Sequence, residues 1–150
     1  MKRVSETFAG AIAAAALLIA PASAETLTFN NGAVLETPAD VQRVSCGGDD
    51  DPSIENFCLL TPAASSRATA DSFIANLNGA DWVQNPDTTG NHPAIVADLR
   101  KPLEQAGCYT HLTIAVLETP RGAPANTHMI ILFAPRVAVC DRPSDGAMTP

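Results

Sequence analysis

Cysteine, histidine and one short acidic run are the side chains here whose spacing could do chemistry. The 150-residue chain holds four cysteines, Cys46, Cys58, Cys108 and Cys140, and three histidines. No cysteine spacing is CxxC, so neither a zinc ribbon nor a thioredoxin-like redox pair is indicated. An even count in a chain that reads as exported predicts disulfides. Of the three connectivities, Cys46–Cys58 closes a local loop and Cys108–Cys140 ties the outer ends of a hairpin, and this pair is expected. In the chain-entropy model the first contributes about 3 kcal/mol and the second about 4 kcal/mol.

Between Cys46 and Cys58 the segment CGGDDDPSIENFC alternates oxygen side chains at Asp49, Asp51, Ser53 and Glu55. That resembles the opening of a calcium loop, but Ile54 stands where the sharp turn needs glycine and Leu60 where the last ligand should be glutamate. Asp49, Asp51 and Glu55 are therefore a weak metal candidate, and a solvated loop is the expectation. His92, His111 and His128 are too widely spaced for paired zinc ligands. No GxSxG, SxxK or HExxH motif is present. Gly47-Gly48 runs straight into aspartates that repel phosphate. No catalytic residue and no cofactor are assigned. Glu104 and Glu118, flanking one predicted strand, are the carboxylate pair that a hydrolase reading would draw on. The proline-stiffened turn ETPRGAPANT carries Glu118 and Arg121 and is the candidate partner-binding loop, since pre-ordering lowers the entropy cost of binding.

The elements that must position these residues centre on a hairpin, CYTHLTIAVLE (108–118) and THMIILFAPR (127–136), long, apolar and rich in β-branched residues. With Glu118 facing Thr127, Leu112, Ile114 and Val116 stand opposite Phe133, Ile131 and Met129 on one apolar face. His111 and His128 then share the mixed face, about 20 Å apart. In that register Cys108 falls three residues short of Cys140, so the second disulfide requires a break near Pro135. Upstream, Ala70, Phe73, Ile74 and Leu77 form one apolar stripe and predict a helix over about 64–78. Gly79 is expected to end it as a left-handed cap, with Trp82 folded back and Arg67 able to pair with Asp71. HPAIVADLRK alternates, with Ile95, Ala97 and Leu99 on one side and Val96, Asp98 and Arg100 on the other, and predicts a half-exposed strand. ETLTFNNGAVLET predicts a small hairpin turning at Asn31-Gly32, Phe29 across from Val34, joined to the sheet at an edge. No regular element is expected over 38–61. The fold class is α+β, two-layer: one main helix on a mostly antiparallel sheet with a meander of 94–100, 109–117 and 128–134, the Asn-Gly hairpin, and two disulfides.

Residues 1–24 read as a signal peptide. Lys2 and Arg3 precede the apolar run Ala9–Ala20, which is too short to span a bilayer, and Ala22-Ser23-Ala24 fits the cleavage rule. Residues 25–142 then form a single domain, 143–150 a flexible tail, and the address is periplasmic or secreted. Of 9 basic and 16 acidic side chains, Lys2, Arg3 and Glu6 leave with the leader, so 7 face 15 and the net charge is near −8. Nucleic acid is a poor partner for such a surface, no membrane span is expected in the mature chain, and a protein partner is the remaining class. The expected function is that of a small exported, disulfide-bonded binding or accessory module, an inhibitor or envelope adaptor without its own catalytic centre. The alternatives are a small periplasmic hydrolase with a carboxylate or histidine site, and a weak calcium-dependent module.

Overall fold

In the computed structural model most of the strand segments pair into one antiparallel sheet, and a single helix among the described residues covers one side of it. The structure describes residues 24–48, 51–86, 93–119 and 121–141. The elements are β1 (Thr26–Thr28), β2 (Val34–Glu36), β3 (Gln42–Val44), β4 (Ile54–Pro62), α1 (Ser66–Gly79), β5 (Val83–Gln84), β6 (Ile95–Pro102), β7 (Cys108–Glu118), β8 (Thr127–Pro135) and β9 (Val139–Cys140). A seven-stranded sheet runs β3-β4-β8-β7-β6-β5, and β9 pairs with the start of β7. The meander β6–β7–β8 is the one the alternation predicts. Among the described residues no helix is long and apolar enough to cross a membrane.

The helix forms as its stripe requires. Ala70, Phe73 and Leu77 are buried, Ile74 packs beside them, and Arg67 pairs with Asp71 at 3.1 Å on the solvent side. Trp82 is buried and its amide donates to the Leu77 carbonyl, so the chain folds back as expected. The cap lies elsewhere than predicted. Gly79 is still helical, and the positive φ falls at Asp81 (67°), a residue type that tolerates it.

Three further expectations are corrected. The segment 38–61 is not irregular: β3 and β4 lie within it, and β4 pairs along its whole length with β8. Phe57, Leu59 and Thr61 point to the core on strand alternation, a signal obscured by the cysteine and the acidic loop beside it. The N-terminal hairpin is its own two-stranded sheet and does not extend the main sheet. Its loop spans 30–32, with Gly32 at φ 84°, so Phe29 faces Ala33 and Val34 pairs with Thr28. The main hairpin is shifted by one residue, with Glu118 opposite His128, Val116 opposite Ile130 and Ile114 opposite Leu132. The cause is β4. Its core residues Leu59 and Phe57 pair with Ile130 and Leu132, so β8 must turn those two toward the helix to satisfy both neighbours.

The core therefore lies on one side of the sheet, between Phe73 and Leu77 of the helix, Leu27, Phe29 and Leu35 of the small hairpin, and Leu59, Leu99, Leu112, Ile114, Ile130 and Leu132 of the sheet. Both disulfides are the expected pair. Cys46–Cys58 fastens the β3 exit to β4, and Cys108–Cys140 bridges directly opposed residues with Cα atoms 4.0 Å apart. Between Thr113↔Phe133 and Cys108↔Cys140 the return strand advances seven residues against five. The extra residues lie in the break at Arg136–Ala138, directly after Pro135.

Candidate functional site

Strand alternation sends the residues that do not reach the core to the opposite side of the sheet. On the central strands these are Asn56, Cys58 and Leu60 of β4, Met129, Ile131 and Phe133 of β8, and Thr113, Ala115 and Leu117 of β7, joined by Ile95 at a bulge in β6. Cys58, Thr113 and Ala115 are buried, Asn56 is exposed, and the rest are half-buried. An antiparallel sheet with one wet face ordinarily alternates apolar with polar. Here the second face is largely apolar too. Among the described residues, α1 and the β1–β2 hairpin both belong to the core on the other side.

At one corner of this open face the register builds a polar cluster. Asp98 lies opposite Thr113, and Arg100 opposite His111. The Asp98 side chain is buried to 4% exposure. Thr113 Oγ1 donates to its Oδ1 at 3.0 Å, and His111 Nε2 contacts the same oxygen. With Nε2 carrying a proton, as it does in the cation and in one neutral tautomer, His111 donates to the carboxylate. His111 meets Tyr109 edge-on at 6.4 Å, and the Arg100 guanidinium stands 5.6 Å over the Tyr109 ring. A shallow cleft of about 290 Å³ beside it is lined by Arg100, Pro102, Gly107, Cys108, Tyr109 and Asp141. Asp141 forms no ion pair with Arg100.

Compared with protein-family models, curated proteins and solved structures, the chain matches none. The geometry alone carries the functional reading.

The remaining predicted residues are scattered. The one-residue register shift separates His111 from His128: they lie on opposite faces, not the same one. His128 Nδ1 sits 2.8 Å from Ser66 Oγ at the start of α1. That hydroxyl also lies 3.0 Å from the Ala63 carbonyl, and the histidine tautomer decides which of the two contacts takes its single proton. The pair fastens the helix to β8. Glu104 and Glu118 stand at the two ends of β7, ten residues of strand apart by way of Cys108 and Glu118, about 33 Å, so they do not form a carboxylate pair. Of the acidic loop, Asp49 lies outside the described residues, as does His92. Asp51 accepts from the Ser53 hydroxyl at 2.6 Å and the Ser53 amide at 2.8 Å, bonds that hold its carboxyl below the usual range, while Glu55 accepts from the Asn30 amide at 2.7 Å. The two carboxylates serve different neighbours. Among the described residues no group of three His, Cys, Asp or Glu converges. Glu118 and Arg121 are exposed at the turn after β7. Pro124 and Thr127 of that turn line a second cleft, of about 150 Å³, with Asp40, Gln42, Leu60 and Pro62.

Sequence reasoning missed the open face and Asp98. A strand alternating Asp98 with Arg100 signals a wet side, and only the neighbouring Thr113 and His111 make that carboxylate an interior group.

Proposed function

We propose that the protein is an exported binding module, an adaptor or inhibitor without its own catalytic centre, and that it docks its partner on the open face of the sheet. The observation behind this reading is the row Leu60, Met129, Ile131, Phe133 and Leu117, half-buried on the side away from the helix. Apolar groups gathered on one flat surface mark an interaction site. The clefts described beside the row are shallow, of about 150 and about 290 Å³, and the flat apolar row between them suits a macromolecule. The 119–126 turn with Glu118 and Arg121 borders its upper end and extends the contact. The test is retention of envelope proteins by the oxidised chain, compared with Ile131→Arg and Phe133→Asp. Retention lost in both variants supports the reading, and retention unchanged in both overturns it.

The Asp98–His111 pair favours a second reading, a hydrolase with His111 as base. Its Nε2 is committed to Asp98, and among the described residues no hydroxyl or thiol bonds its Nδ1. Turnover of ester or peptide substrates abolished by His111→Ala would establish that reading in place of the first.

A further inference from the structure

The two disulfides differ in their reach from solvent. Cys58 lies mid-strand in β4, between β3 and β8, and is 1% exposed, while Cys46 is half-buried. Cys108 is 5% exposed, but its partner Cys140 is exposed, on the two-residue β9 that pairs with the start of β7. The segment that carries Cys140 is a strap across the end of the sheet, leaving β8 after Pro135 and regaining β7 at Val139. Arg136, Val137 and Ala138 along it are exposed, Val137 to 70%. Besides the bridge, three described backbone ties hold it: the Arg136 amide to the Ser53 carbonyl and the Asp141 amide to the Gly107 carbonyl, each at 2.8 Å, and the short β9 ladder. The strap borders two clefts. Val137 and Ala138 line one of about 250 Å³ together with Thr110, and Asp141 stands at the rim of the Arg100 cleft.

We infer that Cys108–Cys140 is an exchange site, a disulfide that a dithiol protein opens through Cys140 while Cys46–Cys58 stays closed. The inference goes beyond the docking reading and does not depend on it. Thiol–disulfide exchange needs an unobstructed approach to one sulfur, and an exposed bridge is the labile kind. Of the four cysteines only Cys140 is an exposed residue. An incoming thiolate forms a bond to Cys140 Sγ, the Cys140–Cys108 bond breaks, and its electron pair leaves on Cys108 Sγ, which takes a proton from water. The dithiol's second thiolate then attacks its own sulfur in the mixed disulfide, and Cys140 leaves as a thiolate. Two electrons have passed from the dithiol to the bridge, and the dithiol carries the new disulfide. What remains on the strap is a two-residue ladder and two backbone bonds, a segment thin enough to open while the rest of the sheet stays paired. Its release has a consequence for β7. Between Tyr109↔Val139 and Thr113↔Phe133 that side of β7 already lacks a ladder partner among the described residues, and Asn31 Nδ2 meets the His111 carbonyl at 3.1 Å. Without β9 the unpaired edge runs from Cys108 to Leu112, and Thr110, 6% exposed beside the strap, is uncovered. An open sheet edge is a template for strand addition, so exchange at Cys140 alters the surface that the module presents.

The test uses the protein with both disulfides formed, treated with millimolar dithiothreitol in the absence of denaturant, quenched with iodoacetamide at intervals and mapped by mass spectrometry. Cys108 and Cys140 should be alkylated about tenfold faster than Cys46 and Cys58. A thioredoxin whose second active-site cysteine is replaced by serine should be captured as a mixed disulfide on Cys140. The double variant Cys108→Ser, Cys140→Ser serves as the permanently open form. Its amides at 136–141 and at the start of β7 should exchange hydrogen faster than the parent's, with those of β4 unchanged. Equal rates at the two bridges, earlier opening of Cys46–Cys58, or capture on Cys108 overturns the inference. So does reduction that appears only together with loss of the circular dichroism signal, because exchange then follows unfolding of the whole domain and not release of the strap. These rates are read on the parent chain, so they decide the matter even if the double variant does not fold.

Discussion

Thr113 shows how much one hydroxyl can decide. It holds Oδ1 of a carboxylate that is 4% exposed, and His111 is the other group on that oxygen. Among the described residues no buried side-chain polar atom lacks a partner, so the cluster has no spare bond to give up. Thr113→Val keeps the shape and removes the donor, which leaves Asp98 with one partner where it had two. The expected loss is about 1–3 kcal/mol in urea unfolding, the cost of an under-satisfied buried acceptor; an unchanged midpoint would show that Asp98 is better hydrated than its burial implies. At the surface, Asp51 gives a cleaner titration. The Ser53 hydroxyl is the larger cause of its lowered pKa and the Ser53 amide the smaller. Ser53→Ala should raise the Asp51 pKa toward the ordinary carboxylate value in an NMR titration. The sign follows from linkage: a depressed pKa stabilises the fold above the ordinary carboxylate value, and that contribution disappears as pH falls through the lowered one. The alanine variant should therefore lose nothing further in acid and a little at neutral pH.

Among the elements, the strands are fastened at both ends of the chain's sequence by disulfides of unequal reach. Cys46–Cys58 closes a separation of 12 residues and Cys108–Cys140 one of 32. Replacing each pair by alanine should cost about 3 and about 4 kcal/mol, in that order, as measured by denaturant unfolding. A larger loss from the shorter loop would mean that bridge enthalpy, not chain entropy, dominates. Cys108–Cys140 was legible as the preferred pairing, and the break after Pro135 followed from it, because strand rise and disulfide reach leave the two cysteines too far apart without one. The helix was legible because Ala70, Phe73 and Leu77 repeat at its period. What sequence could not supply was non-local pairing. β4 is a nine-residue strand whose acidic, cysteine-bearing surroundings hide its alternation, and once it is missing nothing fixes β8 within one residue. From that slip came the misplacement of His128 and the overlooked open face. A bulge between Ile95 and Ala97 did the same on a smaller scale, turning Val96 toward the core against the simple alternation.

For the molecule as a whole, compartment and stability are one question. A domain of this size is stable by about 5–15 kcal/mol, and two bridges contributing about 3 and about 4 kcal/mol are a large share of that. Reduced, the chain would be left near the margin, with Leu60, Ile131 and Phe133 already half-exposed for aggregation and the core no longer held shut. The two disulfides are compatible with an oxidising address, the one expected of a chain whose Lys2, Arg3 and apolar run to Ala20 read as a leader. Cleavage after Ala24 suits the local structure. The Glu25 amide donates to Thr37 Oγ1 at 3.0 Å, and the Thr37 amide donates to the Glu25 carbonyl at 2.8 Å. A new ammonium at Glu25 keeps the first bond and leaves the second untouched. Two measurements follow on one protein made by two routes. Exported, its intact mass should correspond to a chain starting at Glu25 and lighter by the four hydrogens lost on forming two disulfides. Made without residues 1–24 and held in a reducing cytosol, the same chain should be cut by protease far faster, because the opened state is more populated. Equal protease resistance from both routes would mean that the core alone carries the fold, and the bridges would then be ornaments of the compartment and not its requirement.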